Sequence, residues 1–254
     1  MNTSRPSVLI TGAARRLGAT LARRFAAAGW HVVIHHRDSC DEAEALAASL
    51  PSAETVAFDL ADTAAIRDAC ARLAMRLPDW RVLVNCASVF DFDGAERIDE
   101  VIFAEAMAVN ARAPVLLAQA FLALARAADG RTVINVIDQK LANMNPDFFS
   151  YTMAKAALAA ASEMMAISCQ GAPDRVHALH PGAMLPSFDQ ADFEHEASGR
   201  MNLLHRLTQP EELADAALFL ATGALANGQD IFVDSGQHLM AQDRDVLFLA
   251  RKHS

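Results

Sequence analysis

The chain has 254 residues, 53% of them hydrophobic, and its 31 acidic and 22 basic side chains give a formal net charge of −9. A chain of this size and composition can bury a large core, so we expect a single domain over residues 1–254. The acidic balance opposes broad phosphate-backbone contact and argues against a nucleic-acid partner.

The start of the chain enters a short apolar run directly, without the features of a signal peptide, and no run reaches the roughly 18 apolar residues of a membrane span. The four cysteines form no C-x-x-C pair, and the nine histidines include no H-E-x-x-H. We therefore expect a cytoplasmic protein with reduced thiols, no membrane contact and no bound metal.

Short β-rich apolar runs alternate with longer Ala- and Leu-rich segments along the chain. This alternation is typical of a parallel sheet with helices on both faces. The near-continuous apolar character of the runs fits strands buried on both faces. We predict an α/β fold, a single-domain, Rossmann-type, doubly wound sheet of about seven parallel strands. The predicted strands are Val8–Thr11, His31–His35, Thr55–Asp59, Val82–Ala87, Thr132–Ile137, Arg175–His180 and Asp230–Asp234.

The first strand leads into "VLITGAARRLG", a strand, a tight turn and a helix start. Gly12 and Gly18 can bring backbone N–H groups close to a pyrophosphate. A plain strand-to-helix turn is the alternative, but the place directly after the first strand favours a cofactor loop. Arg16 stands where a dinucleotide-binding fold often has a middle glycine, and its guanidinium could pair with an anionic ligand.

The second strand ends in "VVIHHRDS", where an acidic residue would bind the ribose hydroxyls of NAD. Arg37 and Ser39 follow this strand instead, and with Arg16 they could clamp the extra phosphate of NADP. Asp38 could turn inward and favour NAD, or lie in solvent. We predict NADPH as the cofactor. Asp59, at the end of the third strand, could reach the adenine or simply cap a turn.

Tyr151 and Lys155 stand one helical turn apart, so an ammonium group can lie close to a phenol and lower its pKa. Thirteen residues before Tyr151 lies Asp138. A carboxylate opposes the negative charge that develops on oxygen when a ketone is reduced. An aspartate can, however, orient or protonate a cation-like C=N group. The alternative is that Asp138 caps a loop.

Two segments lack regular periodicity. Residues 183–200, "AMLPSFDQADFEHEASGR", follow a strand end, where open α/β sheets bind ligands, and we interpret them as a substrate loop rather than an ordinary surface excursion. The tail, residues 237–254, contains the apolar run Val246–Leu249, which is too short to span a membrane. We expect this tail to pack on a neighbouring subunit, and packing on its own subunit is the alternative.

Six motifs, in order, resemble the short-chain dehydrogenase/reductase family over about residues 8–236: "TGAARRLG", "VLVNCAS", "MAVNARAP", "YTMAK", "HPGA" and "DIFVDSG". The resemblance implies that Tyr151 donates a proton while Lys155 holds the nicotinamide ribose. It also implies that Asn110 helps a water relay protons; otherwise Asn110 marks a bend in the helix leading to Pro114. A homotetramer is a further family expectation.

Within the family, an aspartate at the place of Asp138 resembles the pteridine reductases, as do Arg16 and the stretch "HHRDSCDEAEAL". In that resemblance Phe90 stacks over a flat pterin, although a phenylalanine at a pocket mouth also serves as plain apolar lining. The departures are Cys86, the absence of a second tyrosine between Asp138 and Tyr151, and Met184.

These observations predict an NADPH-dependent reductase that transfers hydride to a C=N bond of a pterin, dihydropterin or dihydrofolate-like small molecule. A carbonyl (ketone or 3-oxoacyl) reductase of the same fold is the alternative, and a non-catalytic NADP(H)-sensing protein is a second. The predicted catalytic residues are Asp138, Tyr151, Lys155 and Asn110. The predicted substrate-binding residues are Ser88, Phe90, Asp138 and Tyr151. The predicted cofactor-binding residues are Gly12, Arg16, Leu17, Gly18, His36, Arg37, Ser39, Asp59, Leu60, Asn85, Ala87, Tyr151, Lys155, Pro181 and Gly182.

Overall fold

The computed structural model of the chain describes residues 5–127, 129–187 and 190–252. Its strands form one seven-stranded, all-parallel sheet in the order β3-β2-β1-β4-β5-β6-β7, which confirms the predicted doubly wound α/β fold. The strands are β1 Ser7–Ile10, β2 His31–His36, β3 Ala53–Ala57, β4 Trp80–Asn85, β5 Thr132–Val136, β6 Arg175–Pro181 and β7 Asp230–Val233.

The largest differences from the predicted strands are at β3 and β4, each of which begins and ends two residues earlier, so that β3 ends at Ala57 and β4 at Asn85. Val32 of β2 pairs with Ala53, so the neighbouring strand sets where β3 begins. Asp59 then lies in the loop that follows, where its Oδ1 accepts the N–H of Ala61 at 2.8 Å. Tertiary pairing, which hydrophobic runs do not encode, decides such boundaries.

Nine α-helices cover this sheet in the described part of the chain. They are α1 Arg16–Ala27, α2 Cys40–Ser49, α3 Thr63–Arg76, α4 Glu100–Ala106, α5 Ala113–Leu124, α6 Phe149–Ser168, α7 Asp192–Gly199, α8 Pro210–Ala221 and α9 Val246–Lys252. A π-helix, Met107–Arg112, joins α4 to α5. Gly29, with φ of 87°, follows α1 as the expected C-cap glycine.

Successive residues of the strands point to opposite faces of the sheet, and two cores result. Val8 and Ile10 of β1 belong to one core, which α1 and α8 cover. Leu9 belongs to the other core, which α3 and α5 cover, and Phe121 of α5 is among its buried residues. Both faces are therefore buried, as the near-continuous apolar strands predict.

The continuous helical stretch Glu100–Leu124 is, in the described residues, the one helix long and apolar enough to cross a membrane by length and composition. It behaves as a core helix in the fold. Leu117 and Phe121 are buried in the second core, and α5 packs against α3. Its apolar composition is thus explained by burial against the sheet.

The strand order reverses between β1 and β4, and the carboxyl ends of these strands open a crevice. Thr11 ties the two ends together, because its Oγ1 accepts the N–H groups of Cys86 and Ala87 at 2.9 and 3.0 Å. Open parallel sheets bind their ligands at this kind of crevice. The fold therefore places the β1 and β4 loops side by side.

Candidate active site

Two adjoining cavities lie at the carboxyl ends of the strands. The first, which we call the cofactor groove, has a volume of about 410 Å³, and the second, the substrate pocket, has about 480 Å³. Arg16, Leu17 and Ser88 line both. Predicted cofactor residues in the wall of the groove are Gly12, Arg16, Leu17, Gly18, His36, Arg37, Ser39, Asp59, Leu60 and Ala87. Predicted residues in the wall of the pocket are Ser88, Phe90, Asp138, Tyr151, Pro181 and Gly182.

The two glycines of the β1–α1 loop are required by the local geometry. A Cβ on Gly18 would lie 2.3 Å from the carbonyl oxygen of Gly12, and one on Gly12 would lie 3.0 Å from Cα of Ala87. Gly12 also has φ of 63°, a left-handed conformation that favours glycine. The tight turn leaves the N-terminus of α1 facing the groove, and such a terminus suits a pyrophosphate.

Arg16 adopts φ of 53°, the left-handed conformation that a middle glycine would take without strain. Its Nη2 donates to the carbonyl oxygen of Pro186 at 2.6 Å, across the boundary between groove and pocket. Arg16 thus lines the groove as predicted and also joins the cofactor loop to the segment after β6.

The phosphate end of the groove holds Arg37, Ser39 and His36. Arg37 Nε donates to Asp38 Oδ2 at 2.6 Å, and Asp38 lines the groove with its side chain mostly exposed to solvent. Ser39 occupies the N-cap position of α2 without a capping hydrogen bond from its side chain. His36 is buried, and its Nδ1 has no hydrogen-bond partner. An unpartnered buried nitrogen beside an arginine fits a site for an anionic group of a ligand.

His35 was not among the predicted site residues, but it lines the groove and connects two of its loops. Its Nδ1 accepts the N–H of Gly12 at 3.1 Å, and its Nε2 lies 3.0 Å from the carbonyl oxygen of Phe58. Burial lowers the pKa of His35 to about 4, so the ring is neutral at physiological pH. A neutral ring can accept from one loop and donate to the other, which the pattern "IHH" alone does not reveal.

Asn85 and Asn110 lie in the wall behind the cavities. Asn85 Nδ2 donates to Asn135 Oδ1 at 2.8 Å and to the Pro114 carbonyl at 3.3 Å. Asn110 pairs with the main chain of Val89 through both ends of its amide, at 2.8 and 2.9 Å. The π-helix around Asn110 confirms a helix irregularity there. The cofactor contact of Asn85 and the water relay at Asn110 stay predictions.

The carboxyl group of Asp138 meets the hydroxyl of Tyr151 in the substrate pocket. Tyr151 Oη donates to Asp138 Oδ2 at 2.6 Å. Asp138 Oδ1 accepts the N–H of Lys140 at 2.8 Å, so this residue also caps the short 3₁₀-helix Gln139–Ala142. Both interpretations of Asp138, an acid beside the tyrosine and a loop cap, are therefore realised by its two oxygens.

Burial dominates the protonation of this pair. It raises the pKa of Asp138 above its ordinary value, outweighing the hydrogen bonds from Tyr151 and from the Lys140 N–H, which lower it. Burial, together with the negative charge of Asp138, raises the pKa of Tyr151 well above 10. The expectation that Lys155 lowers the pKa of this phenol is wrong for this structure. Tyr151 is held as a neutral proton donor.

Lys155 lies one helical turn beyond Tyr151 on α6 and is buried. Its Nζ donates to the Val136 carbonyl oxygen at 2.7 Å and lies 5.7 Å from the centre of the tyrosine ring. Burial lowers the pKa of Lys155 to about 8, against the opposing charge of Asp138. The ammonium is thus held by the end of β5 rather than by the phenol.

Phe90 stands at the mouth of the substrate pocket, 40% exposed. Its ring stacks on Phe148, with centroids 4.0 Å apart and an 18° interplanar angle, and meets Tyr151 edge-on at 4.6 Å. Phe148 has φ of 50° at the start of α6, a strained conformation for a side chain of this size. Phe148, which supports the ring of Phe90 by stacking, was not among the predicted site residues.

The segment after β6 and the tail close the far side of the pocket. The predicted substrate loop contains the helix α7, and its Phe188 and Asp189 lie outside the described residues. Leu247 and Ala250 of the tail are buried against their own chain, and α9 packs on α7. The alternative, packing of the tail on its own chain, is thus observed for these two residues, and the expected contact with a neighbouring subunit stays a prediction. His253 and Ser254 lie outside the described residues.

An ion-pair network fixes the tail to the loop before α6. Arg244 contacts both oxygens of Asp147 at 2.7 to 3.0 Å, and Lys140 Nζ lies 3.1 Å from Asp245 Oδ2. Burial opposes ionisation of Asp147, but the hydrogen bonds from Arg244 hold its pKa below the ordinary value. The sequence analysis missed this network, because its partners lie about a hundred residues apart.

Fold and site together define the class of protein. A doubly wound sheet carries a glycine-loop groove at its strand reversal. Beside it Tyr151 and the half-buried Asp138 line a pocket, with buried Lys155 one helical turn from the tyrosine. This is the arrangement of a dinucleotide-dependent oxidoreductase. The family model described as enoyl-(acyl carrier protein) reductase matches residues 12–238. The chain therefore belongs to this family of short-chain dehydrogenases/reductases, as the motifs predict.

Similar proteins in the family differ in what they act on. Pteridine reductase 1 of Leishmania tarentolae is 30% identical, over 92% of this chain and 96% of that protein. D-threitol dehydrogenase of Mycolicibacterium smegmatis is 28% identical, over 90% of this chain and 91% of that protein. The crystal structure of FolM alternative dihydrofolate reductase 1 from Brucella canis, complexed with NADP, has 32% identity and a TM-score of 0.88, covering 95% of this chain and 97% of that one.

Proposed function

We propose that this short-chain oxidoreductase is an NADPH-dependent reductase of a C=N bond in a pterin or dihydropterin-like substrate. The hydrogen bond from Tyr151 Oη to Asp138 Oδ2, at 2.6 Å in the wall of the substrate pocket, carries the proposal. In this proposal the half-buried carboxyl group lies close to the point where the reacting atom of a substrate would meet the tyrosine. The chain's similarity to pteridine reductase 1 and to the alternative dihydrofolate reductase supports the same substrate class.

The chemistry requires a hydride on carbon and a proton on nitrogen. Bound NADPH would supply the hydride, leaving NADP⁺ and a C–H bond where the C=N double bond was. The proton for nitrogen comes from the chain's own acids. Tyr151 remains protonated because its pKa is raised well above 10. Asp138 can pass a proton to the tyrosine or stabilise the positive charge of a protonated C=N group.

The same carboxyl group explains why a simple ketone suits the pocket less well. Reduction of a ketone builds negative charge on oxygen, and an ionised carboxylate beside that oxygen raises the energy of the transition state. Reduction of a protonated C=N group discharges a cation, which a carboxylate favours. Phe90, half exposed at the mouth, offers a flat aromatic surface to a bicyclic ring.

NADPH fits the cofactor groove better than NADH. The glycine cradle at Gly12 and Gly18 leaves no room for side chains where a pyrophosphate would lie. The unpartnered Nδ1 of buried His36 and the guanidinium of Arg37 line the region after β2. Arg37 stands where an acidic residue would select NAD, and it would pair with a 2′-phosphate.

The alternative function is a carbonyl reductase, which the similarity to D-threitol dehydrogenase favours. In that case Asp138 would serve mainly as the cap of the 3₁₀-helix, through the hydrogen bond from the Lys140 N–H to its Oδ1. A cytoplasmic, homotetrameric protein with one domain per chain completes the proposal.

The first experiment offers a dihydropterin, dihydrofolate and a panel of ketones to the purified protein and follows the absorbance of NADPH. Turnover of the pterin or folate substrates without turnover of ketones supports the proposed function. Turnover of ketones alone overturns it and leaves the carbonyl reductase. Turnover of neither, with NADPH bound, leaves the sensor.

Two variants of Asp138 then separate its role as an acid from its role as a helix cap. Asp138→Asn keeps an oxygen that can accept the Lys140 N–H but cannot deliver a proton, whereas Asp138→Ser supplies a neutral hydroxyl. We expect both to lower kcat for C=N reduction about 10²-fold or more, in line with the loss of a proton-transfer group. Asp138→Ser should spare or improve reduction of a ketone. Equal losses on both substrate classes would reduce Asp138 to a structural cap.

A further inference from the structure

His180 lies at the end of β6, next to the place where the catalytic aspartate leaves β5. Val136 of β5 is paired with Leu179 of β6, and the N–H of Ile137 donates to the Leu179 carbonyl at 2.7 Å. Asp138, two residues after Val136, and His180, one residue after Leu179, therefore lie close together, with His180 Nδ1 3.1 Å from the Asp138 carbonyl oxygen. His180 is buried, with 5% of its surface exposed.

Both ring nitrogens of His180 face hydrogen-bond acceptors. Nδ1 lies 3.1 Å from the main-chain carbonyl oxygen of Asp138, and Nε2 lies 2.9 Å from Oδ1 of Asp230. A carbonyl oxygen cannot donate, so Nδ1 is the donor to the main chain of Asp138. The ring therefore links the end of β5 to β7.

Three further side chains surround the ring of His180 or lie next to its neighbours. Asp230, on β7, is its direct ion-pair partner. Phe232, also on β7, stacks on the imidazole ring with centroids 4.5 Å apart. On the far side of Phe232, His238 pairs with Asp234 at 2.7 Å. The side chain of Asp138, on the β5 side, is directed to Tyr151.

Three contacts then hold Asp138 in its extended conformation. His180 holds its carbonyl oxygen, the N–H of Lys140 holds Oδ1, and Tyr151 holds Oδ2. Two of these come from the residue's own loop and from α6. His180 supplies the contact from the sheet, the most rigid part of the fold, so the position of the carboxyl group depends on it.

We propose that His180 is a positioning residue for the acid of the reaction, anchoring Asp138 to the sheet through its carbonyl oxygen while Asp230 anchors the other side of the imidazole ring. The proposal rests on the proposed function for the catalytic role of Asp138. Misplacing a catalytic group by about 1 Å can cost on the order of 10²-fold in rate. The anchor therefore affects catalysis without contacting the substrate.

Two polar variants test the anchor. The amide of Asn can place a donor close to the position of Nδ1, and the amide of Gln one close to that of Nε2. We expect His180→Asn to keep kcat for the C=N substrate within about threefold of the wild type, and His180→Gln to lower it about 10-fold or more. The Kd for NADPH should remain unchanged in both, because His180 lies outside the cofactor groove.

A second readout needs no substrate. The chain has one tyrosine, so a spectrophotometric titration of tyrosinate reports Tyr151 alone. The carboxylate of Asp138 helps to raise the pKa of this phenol. We expect His180→Gln to lower the midpoint of the titration, and His180→Asn to retain it, with circular dichroism showing the fold intact at each pH.

The ¹⁵N shifts of the imidazole give a third readout, with neutral His35 as the internal reference. A protonated Nδ1 in His180 is expected, and an Nδ1 without a proton would overturn the proposal. Equal kcat and equal titrations in His180→Gln and the wild type would overturn it as well. Failure of the proposed function is distinguishable, because the wild type would then not reduce the pterin while the titrations remain readable.

Discussion

The cofactor groove and the substrate pocket share Arg16, Leu17 and Ser88, yet they are built differently. The wall of the groove comes mainly from residues 12–89, and its charged side chains face solvent; Arg37 is 54% exposed. The wall of the pocket comes from five separate segments, including the β5–α6 loop and the tail; its phenol is buried and its acid is half-buried.

Because of this difference, cofactor affinity and reaction rate should depend on different cavities. Exposed ion pairs contribute about 0–1 kcal/mol each, so charges at the phosphate end tune cofactor affinity in small steps. Buried groups of the pocket have displaced pKa values, and a single substitution there changes the reaction itself. Variants in the pocket should therefore have large effects on rate, and variants in the groove should have small effects on affinity.

Removing the hydroxyl of Tyr151 should have the largest effect. Tyr151→Phe keeps the ring that Phe90 meets edge-on but removes the proton donor. We expect kcat to fall about 10²–10⁴-fold, the contribution of a positioned acid, while the Kd for NADPH changes little. Steady-state rates check the expected fall in kcat, and a fluorescence titration of NADPH checks the expected Kd. Retained turnover would mean that the proton comes from elsewhere.

The rate should also fall at alkaline pH because of Lys155. Its pKa is lowered to about 8, so in the free enzyme the ammonium is lost as pH rises through this value. We expect kcat/KM to fall about tenfold per pH unit above it. Stability should change in the opposite direction. The unfolded lysine, with a pKa near 10.4, still binds a proton there, so this residue's contribution to the free energy of unfolding rises between about pH 8 and 10.

Thermal unfolding across the same pH range separates the two effects. A parallel loss of rate and of Tm above pH 8 would assign the alkaline loss of activity to unfolding and not to Lys155. A rate that falls while the folded fraction stays constant would agree with the titration of this lysine.

Loosening the tail should have an intermediate effect, confined to the pocket. Arg244→Gln removes the bidentate partner of Asp147, which is almost buried. We expect KM for the substrate to rise about 3–10-fold, a loss of about 1 kcal/mol, with the Kd for NADPH unchanged. Arg72→Gln, at an exposed position of α3, is the control for the change of charge. A rise in Kd for NADPH as large as the rise in KM would show that groove and pocket are not separable.

Removing the carboxylate of Asp38, which pairs with Arg37, should have the smallest effect. Asp38, 77% exposed, pairs with Arg37 at 2.6 Å and competes with a 2′-phosphate for the guanidinium. Asp38→Asn should tighten NADPH about 2–5-fold and leave NADH unchanged, the scale of an exposed ion pair. Asp68→Asn on α3 changes the net charge equally and serves as the control. Equal tightening by both would reveal a general charge effect.

The groove was largely predictable because its parts are local. The glycine turn, the helix start and the basic residues after β2 each occupy a few consecutive positions, and parallel strands bring their ends together. The pairing of Arg37 with Asp38 and the bracing of two loops by His35 were not predictable, because they depend on side-chain directions that spacing does not reveal.

The pocket shows the opposite balance. Tyr151 and Lys155 are visible as a helical pair, and Asp138 stands out as a carboxyl group where a hydroxyl was expected. Their protonation could not be derived from spacing, since burial overrides the proximity of Lys155 and raises the pKa of Tyr151. The partners Phe148 and Arg244 were missed for a related reason: a strained backbone and a contact across about a hundred residues leave no local signature.

The sequence by itself thus determined the seven-stranded parallel sheet and the glycine loop and indicated the candidate reactive side chains, because hydrophobic periodicity and turn chemistry act over a few neighbouring residues. Only the tertiary structure decided which oxygen of Asp138 meets the phenol, which nitrogen of His180 holds its carbonyl, and that the tail packs on its own chain. Hydrogen-bond direction and desolvation depend on everything that surrounds a group, and the chain acquires those surroundings only by folding.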